Sequence, residues 1–298
     1  MSKKVIAHIS LFTVNLLYGA NYVIAKGVMP NYVGPNGFIL MRVVGAVTLF
    51  WMMLLFKLQK VAKKDLIRLA FCGLFGVGMN QLLFFNGLMR TSPLNSSIIM
   101  TTTPIIVFVL SIIILKEKST QTKVLGITLG AIGSITLTYL SSGENGYASS
   151  LGDLFIFLNA ISYSFYLVLV KPLMVKYSPL TVITWVFTFG LIYVLLWPFS
   201  TAEFSLISWQ SMPIDIPWRV LFVVVGVTFL PYLLTVFAMK DVSPSVASSY
   251  IYFQPVLASV FIYISFLVGS DDYTADFSIW KILCALLIFI GVYLVSKK

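Results

Sequence analysis

Asn15, Tyr18 and Tyr22 stand at i, i+3 and i+7 within one long apolar run, a spacing that puts them on one face of a helix. Asn159, Tyr163 and Tyr166 repeat the pattern in a second apolar run. Asn80, Gln81 and Asn86, and then Tyr250, Tyr252 and Gln254, place polar side chains in two more. A single basic residue, Arg42, lies well inside an apolar run, about seven residues, roughly 10 Å, from its nearer end. Amides and phenols can orient a small polar solute, and a guanidinium can hold a carboxylate or a phosphate. Catalysis asks for placed acids, bases or nucleophiles. The chain has no Asp or Glu deep in an apolar run, its one histidine, His8, stands at the entrance of the first, and no metal-ligand spacing occurs. The expected chemistry is therefore binding without reaction. The candidate binding residues are Asn15, Tyr18, Tyr22, Arg42, Asn80, Asn159, Tyr163, Tyr166, Tyr250 and Gln254, with no catalytic residue, metal or cofactor. The alternative role for the amides and phenols is hydrogen bonding between helices. For Arg42 it is snorkelling, or bonding to freed backbone carbonyls.

The elements that must position these groups follow from composition. The 298 residues are 59% hydrophobic and only 10% charged, with a mean hydropathy of +0.97. Soluble domains carry about 25% charged residues. Ten apolar runs of bilayer-spanning length account for the difference, at roughly 5–26, 36–56, 66–89, 94–115, 123–140, 153–170, 180–199, 217–239, 245–268 and 279–296. They do not alternate as barrel strands would. The expected fold is an all-α polytopic membrane protein. Its partners are the lipid bilayer and a small-molecule substrate. The net charge of +10 sits in short loops, where it reads as a topology signal rather than a nucleic-acid surface. Cys72 and Cys284 lie inside apolar runs and are expected as buried free thiols. The first run lacks a cleavage site and reads as a span. The longest loop, 200–216, carries Phe204, Ile207, Trp209 and Met212 and suits either a segment lying on the bilayer surface or an ordinary loop with belt aromatics.

The runs repeat. Ser92-Pro93 and Ser243-Pro244 each open a segment in which a second proline, Pro104 or Pro255, follows eleven residues after the first. The register is 151 in both cases (244 − 93 and 255 − 104). Tyr18 precedes Lys26 by eight residues, as Tyr163 precedes Lys171, and Lys123 precedes Gly133 by ten, as Lys281 precedes Gly291. The expected units are 1–142 and 150–298, five spans each, joined at a Gly/Ser-rich stretch. Pro104 and Pro255 fall mid-span and should leave the carbonyls of Met100 and Ile251 without their helical donors. They are candidate hinges, or static kinks filled by neighbours, with Thr101 and Thr103 able to satisfy freed groups.

With the N-terminus placed in the cytoplasm, fifteen of the 20 basic residues fall on the cytoplasmic side. Lys26, Arg90, Arg219 and Lys281 fall outside, with Glu144, Asp153, Glu203, Asp215, Asp271, Asp272 and Asp276. Both termini are expected to be cytoplasmic, in a cell (inner) membrane. An odd number of spans per unit makes the units inverted, an arrangement in which secondary transporters bind substrate near the midplane.

The chain also resembles the EamA-type permeases of the drug/metabolite transporter superfamily over nearly its full length. The resemblance rests on Leu17-Tyr18-Gly19-Ala20-Asn21, Arg42, Leu88-Met89-Arg90-Thr91-Ser92-Pro93 with Pro104, Leu115-Lys116-Glu117-Lys118, Gly126 and Gly133. Ser162-Tyr163-Ser164, Ser243-Pro244 with Pro255, and Gly291 carry it in the second half. It implies ten transmembrane helices as two inverted five-helix repeats, and an exporter of small metabolites, often amino acids. The family's acidic residue after the ninth span is matched only loosely by Gly269-Ser270-Asp271-Asp272, and Tyr18 and Tyr163 stand where Trp is common. Without a deep carboxylate, facilitated or exchange transport is expected over proton coupling. An alternative is an antiporter for phosphorylated or other anionic metabolites, which would need Lys26, Arg42, Arg90 and Lys281 to converge. The chain is expected as a monomer, with a dimer as the other possibility.

Overall fold

The computed structural model describes residues 2–55, 59–116, 120–141 and 150–268, and 283, 286, 287, 289–291, 293 and 294 near the C-terminus. Glu117, Lys281, Cys284, most of 279–296 and the joint after Ser141 lie outside the described residues. Nine long helical stretches are described: α1 (Lys3–Val28), α2 (Pro35–Leu54), α3 (Lys63–Arg90), α4 (Pro93–Leu115), α5 (Gln121–Ser141), α6 (Ser150–Val170), α7 (Pro179–Leu196), α8 (Asp215–Ala238) and α9 (Pro244–Leu267). Among the described residues, seven helices are long and apolar enough to cross a membrane, and no strand occurs. α1 and α5 add helices of 26 and 21 residues. The protein is an all-helical, multi-pass membrane protein.

Local chemistry sets the helix starts. Ser92, Ser178 and Ser243 each accept the backbone N–H three residues on, from Asn95, Thr181 and Val246, and each is followed by proline at the first helical position. A serine oxygen fills one of the orphan donors, and proline lacks the N–H that would be another. α2 starts at Gly34-Pro35 with no cap of its own. The Glu203 carboxylate supplies it, accepting the N–H groups of Asn36 at 2.7 Å and Gly37 at 3.2 Å. Glu203 belongs to a short helix, Pro198–Ser205, so the start of the 200–216 segment docks as a cap for α2.

Two helices change pitch at corresponding places. α3 contains a π-helical turn at Leu74–Gly78, and α8 one at Val223–Phe229. α4 and α9 tighten to 3₁₀ geometry at Met100–Thr102 and Tyr250–Phe253, just before Pro104 and Pro255. This corrects one expectation. The Met100 and Ile251 carbonyls do not lack a donor, because the N–H groups of Thr103 and Gln254 reach them. A 3₁₀ bond comes from three residues ahead, so the missing proline N–H costs these carbonyls nothing. Thr101 and Thr102 bond to Ile98 and Ile99 instead.

Packing is reciprocal. α1 lies against α8 and α9, and α6 lies against α3 and α4, while α2 pairs with α7. Gly19 lets α1 approach α9 so closely that a Cβ there would stand 2.7 Å from Leu257 Cβ. Two lysines tie the helix ends. Lys26 Nζ donates to the carbonyls of Leu88, Met89 and Thr91 at 2.8, 3.0 and 2.6 Å. Lys171 Nζ donates to those of Met239 and Val242. Both lysines neutralise the negative C-terminal end of a helix and satisfy carbonyls that have no donor within it. Cys72 is buried and free, as expected.

Candidate functional site

The middle of the bundle holds a cavity of about 60 Å³, room for several waters where one needs roughly 10–15 Å³. Its wall is drawn from α1, α2, α3, α4, α6, α8 and α9, and its polar groups come from Tyr18, Asn21, Arg42, Asn80, Gln81, Asn159, Tyr163, Tyr232 and Gln254. A smaller void of about 10 Å³ shares Tyr18 and Tyr163 with it and adds Asn15 and Thr235.

Most of these polar residues are held by a neighbour. Arg42 is 2% exposed, and its Nε donates to Thr228 Oγ1 at 2.8 Å. Thr228 in turn donates to the Val223 carbonyl five residues back, a bond that only the π-helical turn of α8 makes possible. The guanidinium lies 4.1 Å from the centroid of the Phe85 ring. No carboxylate among the described residues forms an ion pair with it, and Nη1 has no partner. A charge so deeply buried is costly unless it meets an opposite one or water. The stacked aromatic ring offsets part of that cost.

On α3 the π-helical turn frees the Gly76 carbonyl to accept the Tyr232 hydroxyl at 2.7 Å. The Tyr232 oxygen accepts from Gln81 Nε2 at 3.3 Å, and it lies 3.2 Å from Asn80 Oδ1. Asn159 Nδ2 donates to the Asn80 carbonyl at 2.7 Å. These bonds fix which end of each amide is which: the nitrogens of Gln81 and Asn159 are engaged as donors. Gln81 Oε1 and Asn159 Oδ1 are left buried with no partner. On the other side, Tyr22 donates to Gln254 Oε1 at 2.7 Å, Gln254 Nε2 to Asn15 Oδ1 at 2.8 Å, and Asn15 Nδ2 to the Leu11 carbonyl at 2.8 Å. That chain clamps α9 to α1. The residues that line the cavity thus include one cation and two amides that each carry a buried polar atom without a hydrogen-bond partner, among aromatic rings.

Sequence comparison decides what kind of protein this is. The profile of the EamA-like transporter family matches residues 5–139 and again 150–297. The chain belongs to the EamA-like transporter family. It is similar to the uncharacterized transporter YyaM of Bacillus subtilis, 26% identical over 294 residues that cover 97% of this chain and 93% of that one. An uncharacterized transporter of Archaeoglobus fulgidus is 24% identical over 268 residues, covering 90% and 91% of the two chains. A solved crystal structure shares the fold, with a TM-score of 0.72 at 18% identity, covering 97% of this chain and 95% of the other.

In this EamA-like transporter, seven of the ten residues expected from sequence line the cavity together: Tyr18, Tyr22, Arg42, Asn80, Asn159, Tyr163 and Gln254. Asn15 stands one hydrogen bond behind, on Gln254. Tyr166 is fully buried behind the wall, and a Cβ at Gly76 would stand 2.5 Å from its ring. Tyr250 is placed elsewhere, its hydroxyl 2.7 Å from His8 Nδ1. Of the cations that an anion site would need beside Arg42, Lys26 and Arg90 do not line the cavity. Lys26 is spent on helix-end carbonyls, and Arg90 Nη1 donates to the Asn86 carbonyl at 2.8 Å. Lys281 lies outside the described residues. Tyr232 and Thr228 were not among the expected residues. The repeat register could have found Tyr232, since 151 positions beyond the polar residue Gln81 is position 232.

Proposed function

We propose that this EamA-like transporter is a secondary permease that exports small amino-acid-like metabolites by alternating access. The observation that carries the reading is that one cavity wall combines Arg42, which has no ion-pair partner among the described residues, with Gln81 and Asn159, whose amide oxygens lack hydrogen-bond partners. A zwitterion answers both needs, its carboxylate meeting the guanidinium and its ammonium meeting the amide oxygens and the Tyr18 and Tyr163 hydroxyls. Binding restores hydrogen bonds that each buried group lacks, at about 1–3 kcal/mol apiece. Phosphorylated substrates fit less well, because a phosphate dianion needs several cations and Lys26 and Arg90 are held by backbone carbonyls.

Ten helices arranged as two inverted units, 1–142 and 150–298, are the frame of this proposal. The reciprocal packing of α1 and α6, the paired pitch changes and the family profile matching twice support it. Alternating access then exchanges the two units' roles around a fixed site, with Pro104 and Pro255 as the bends at which α4 and α9 move. Both termini face the cytoplasm of a cell (inner) membrane in this arrangement, an orientation that the lysine distribution supports. No carboxylate among the described residues lines the cavity, which supports exchange or facilitated transport over proton coupling.

The test is counterflow in proteoliposomes. Vesicles are loaded with an unlabelled amino-acid mixture and offered labelled amino acids or sugar phosphates, with and without a pH gradient. Uptake of amino acids that does not depend on the gradient supports the reading. Uptake of sugar phosphates alone overturns it.

A further inference from the structure

Away from the central cavity, a groove of about 540 Å³ runs along the outside of the bundle between α3, α4 and α6. On α3 it is lined by Asp65 and by Lys64, Ile67, Arg68, Phe71 and Phe75, the last five a stripe at helical spacing that descends roughly 16 Å from first to last. Ile114 of α4 and Phe165 and Leu169 of α6 form the facing wall. The floor ends where Phe75 and Phe165 stack, ring centroids 5.3 Å apart. Ile67 and Phe71 are 65% and 51% exposed on a helix long and apolar enough to cross a membrane, so this apolar face is one that lipid would cover.

The groove is polarised. Both cations stand at one end, and neither forms an ion pair among the described residues. The one acid beside them, Asp65, is engaged elsewhere. Its carboxylate takes Lys176 Nζ at 2.9 Å and the Tyr177 hydroxyl at 2.8 Å, so its charge is already matched. The other end is wholly apolar. A cationic mouth at the end of a helix and an apolar channel descending into the membrane together match an anionic head group and an acyl chain. A soluble anion would use only the mouth, and a neutral lipid only the channel.

We propose that this groove is a binding site for an anionic phospholipid, whose phosphate lies between Lys64 and Arg68 and whose acyl chain lies along Ile67, Phe71 and Phe75. The lipid would also brace the junction of α3 with α6, since Asp65 on the same turn holds Lys176 and Tyr177 of the segment that follows α6.

Native mass spectrometry of the purified protein measures this directly. The protein is offered phosphatidylglycerol, phosphatidylcholine of the same acyl composition, and soluble glycerol phosphate. The wild-type protein is expected to retain phosphatidylglycerol roughly tenfold more than phosphatidylcholine, with no retention of glycerol phosphate. Lys64→Gln with Arg68→Gln should bring the two lipids to equal retention, while Lys240→Gln, at an exposed position elsewhere, leaves the preference intact. Phe71→Asp should lower retention of both lipids. Equal retention by the wild-type protein, or an undiminished preference in the Lys64/Arg68 double variant, overturns the proposal. Retention of glycerol phosphate would show a simple anion site and also overturn it.

Discussion

Gln81 and Tyr232 touch across the centre of the molecule, the amide nitrogen of one donating to the phenol oxygen of the other at 3.3 Å, and they are separated in sequence by 151 positions. That is the offset between Pro93 and Pro244, and between Pro104 and Pro255. The contact therefore joins positions that the sequence register makes counterparts. In the proposed arrangement of two inverted units, such counterparts meet at the two-fold axis. The carbonyls held by the lysine caps keep the same register, since Lys26 takes Leu88 and Thr91 while Lys171, 145 positions on (171 − 26), takes Met239 and Val242, 151 apart (239 − 88 and 242 − 91).

Tyr232→Phe should expose what this contact does. Removing the hydroxyl leaves the Gly76 carbonyl and Gln81 Nε2 without their partner in a buried place. The expected loss is about 1–3 kcal/mol of stability. Thermal unfolding of the purified protein in detergent measures it, and an unchanged midpoint would mean that water or a neighbour replaces the hydroxyl without cost.

Lys26→Met and Lys171→Met should behave as a matched pair. Each leaves two or more helix-end carbonyls unpaired, at about 1–3 kcal/mol. Similar drops in unfolding midpoint are expected, with the double variant close to their sum, because the two caps sit on different helices and share no partner. A large effect at one site and none at the other would show that the caps are not equivalent.

Gly19→Ala places a methyl group where only 2.7 Å separates it from Leu257 Cβ. Overpacking of this kind costs about 1–3 kcal/mol. Because α1 and α9 also share the Tyr22–Gln254–Asn15 chain, the shift should disturb the cavity wall, so counterflow is expected to fall more than protein yield. Wild-type counterflow by this variant would separate the helix contact from the site.

Much of this arrangement was legible beforehand. The helical class, the membrane and the polar faces of α1 and α6 follow from hydropathy and spacing, because a polar side chain in a lipid environment must turn toward protein or water. The second proline of each Ser-Pro segment marks its bend. Other features were not legible. The π-helical turns leave no compositional mark, yet they free the Gly76 carbonyl and aim Thr228 at Arg42. Tyr250 carries the same polar signal as Gln254, but the 3₁₀ turn between them rotates it toward His8 and away from the cavity. Glu203 reads as a loop charge, and its role as the cap of α2 depends on a contact between residues 167 positions apart. Local pattern says which residues are polar within an apolar run, while pitch and long-range docking decide where each one points.

The central claim is that Arg42 anchors a substrate carboxylate. The measurement closest to it compares equilibrium binding of the amino acid most active in counterflow with that of its decarboxylated amine, in the wild-type protein and in Arg42→Gln. The wild-type protein should prefer the amino acid by roughly 10- to 150-fold, as a lost charge-assisted hydrogen bond of about 1.5–3 kcal/mol implies. Arg42→Gln should bind the two nearly equally. A variant that still prefers the amino acid, or binds it as tightly as the wild type does, would remove Arg42 from the site and contradict the account.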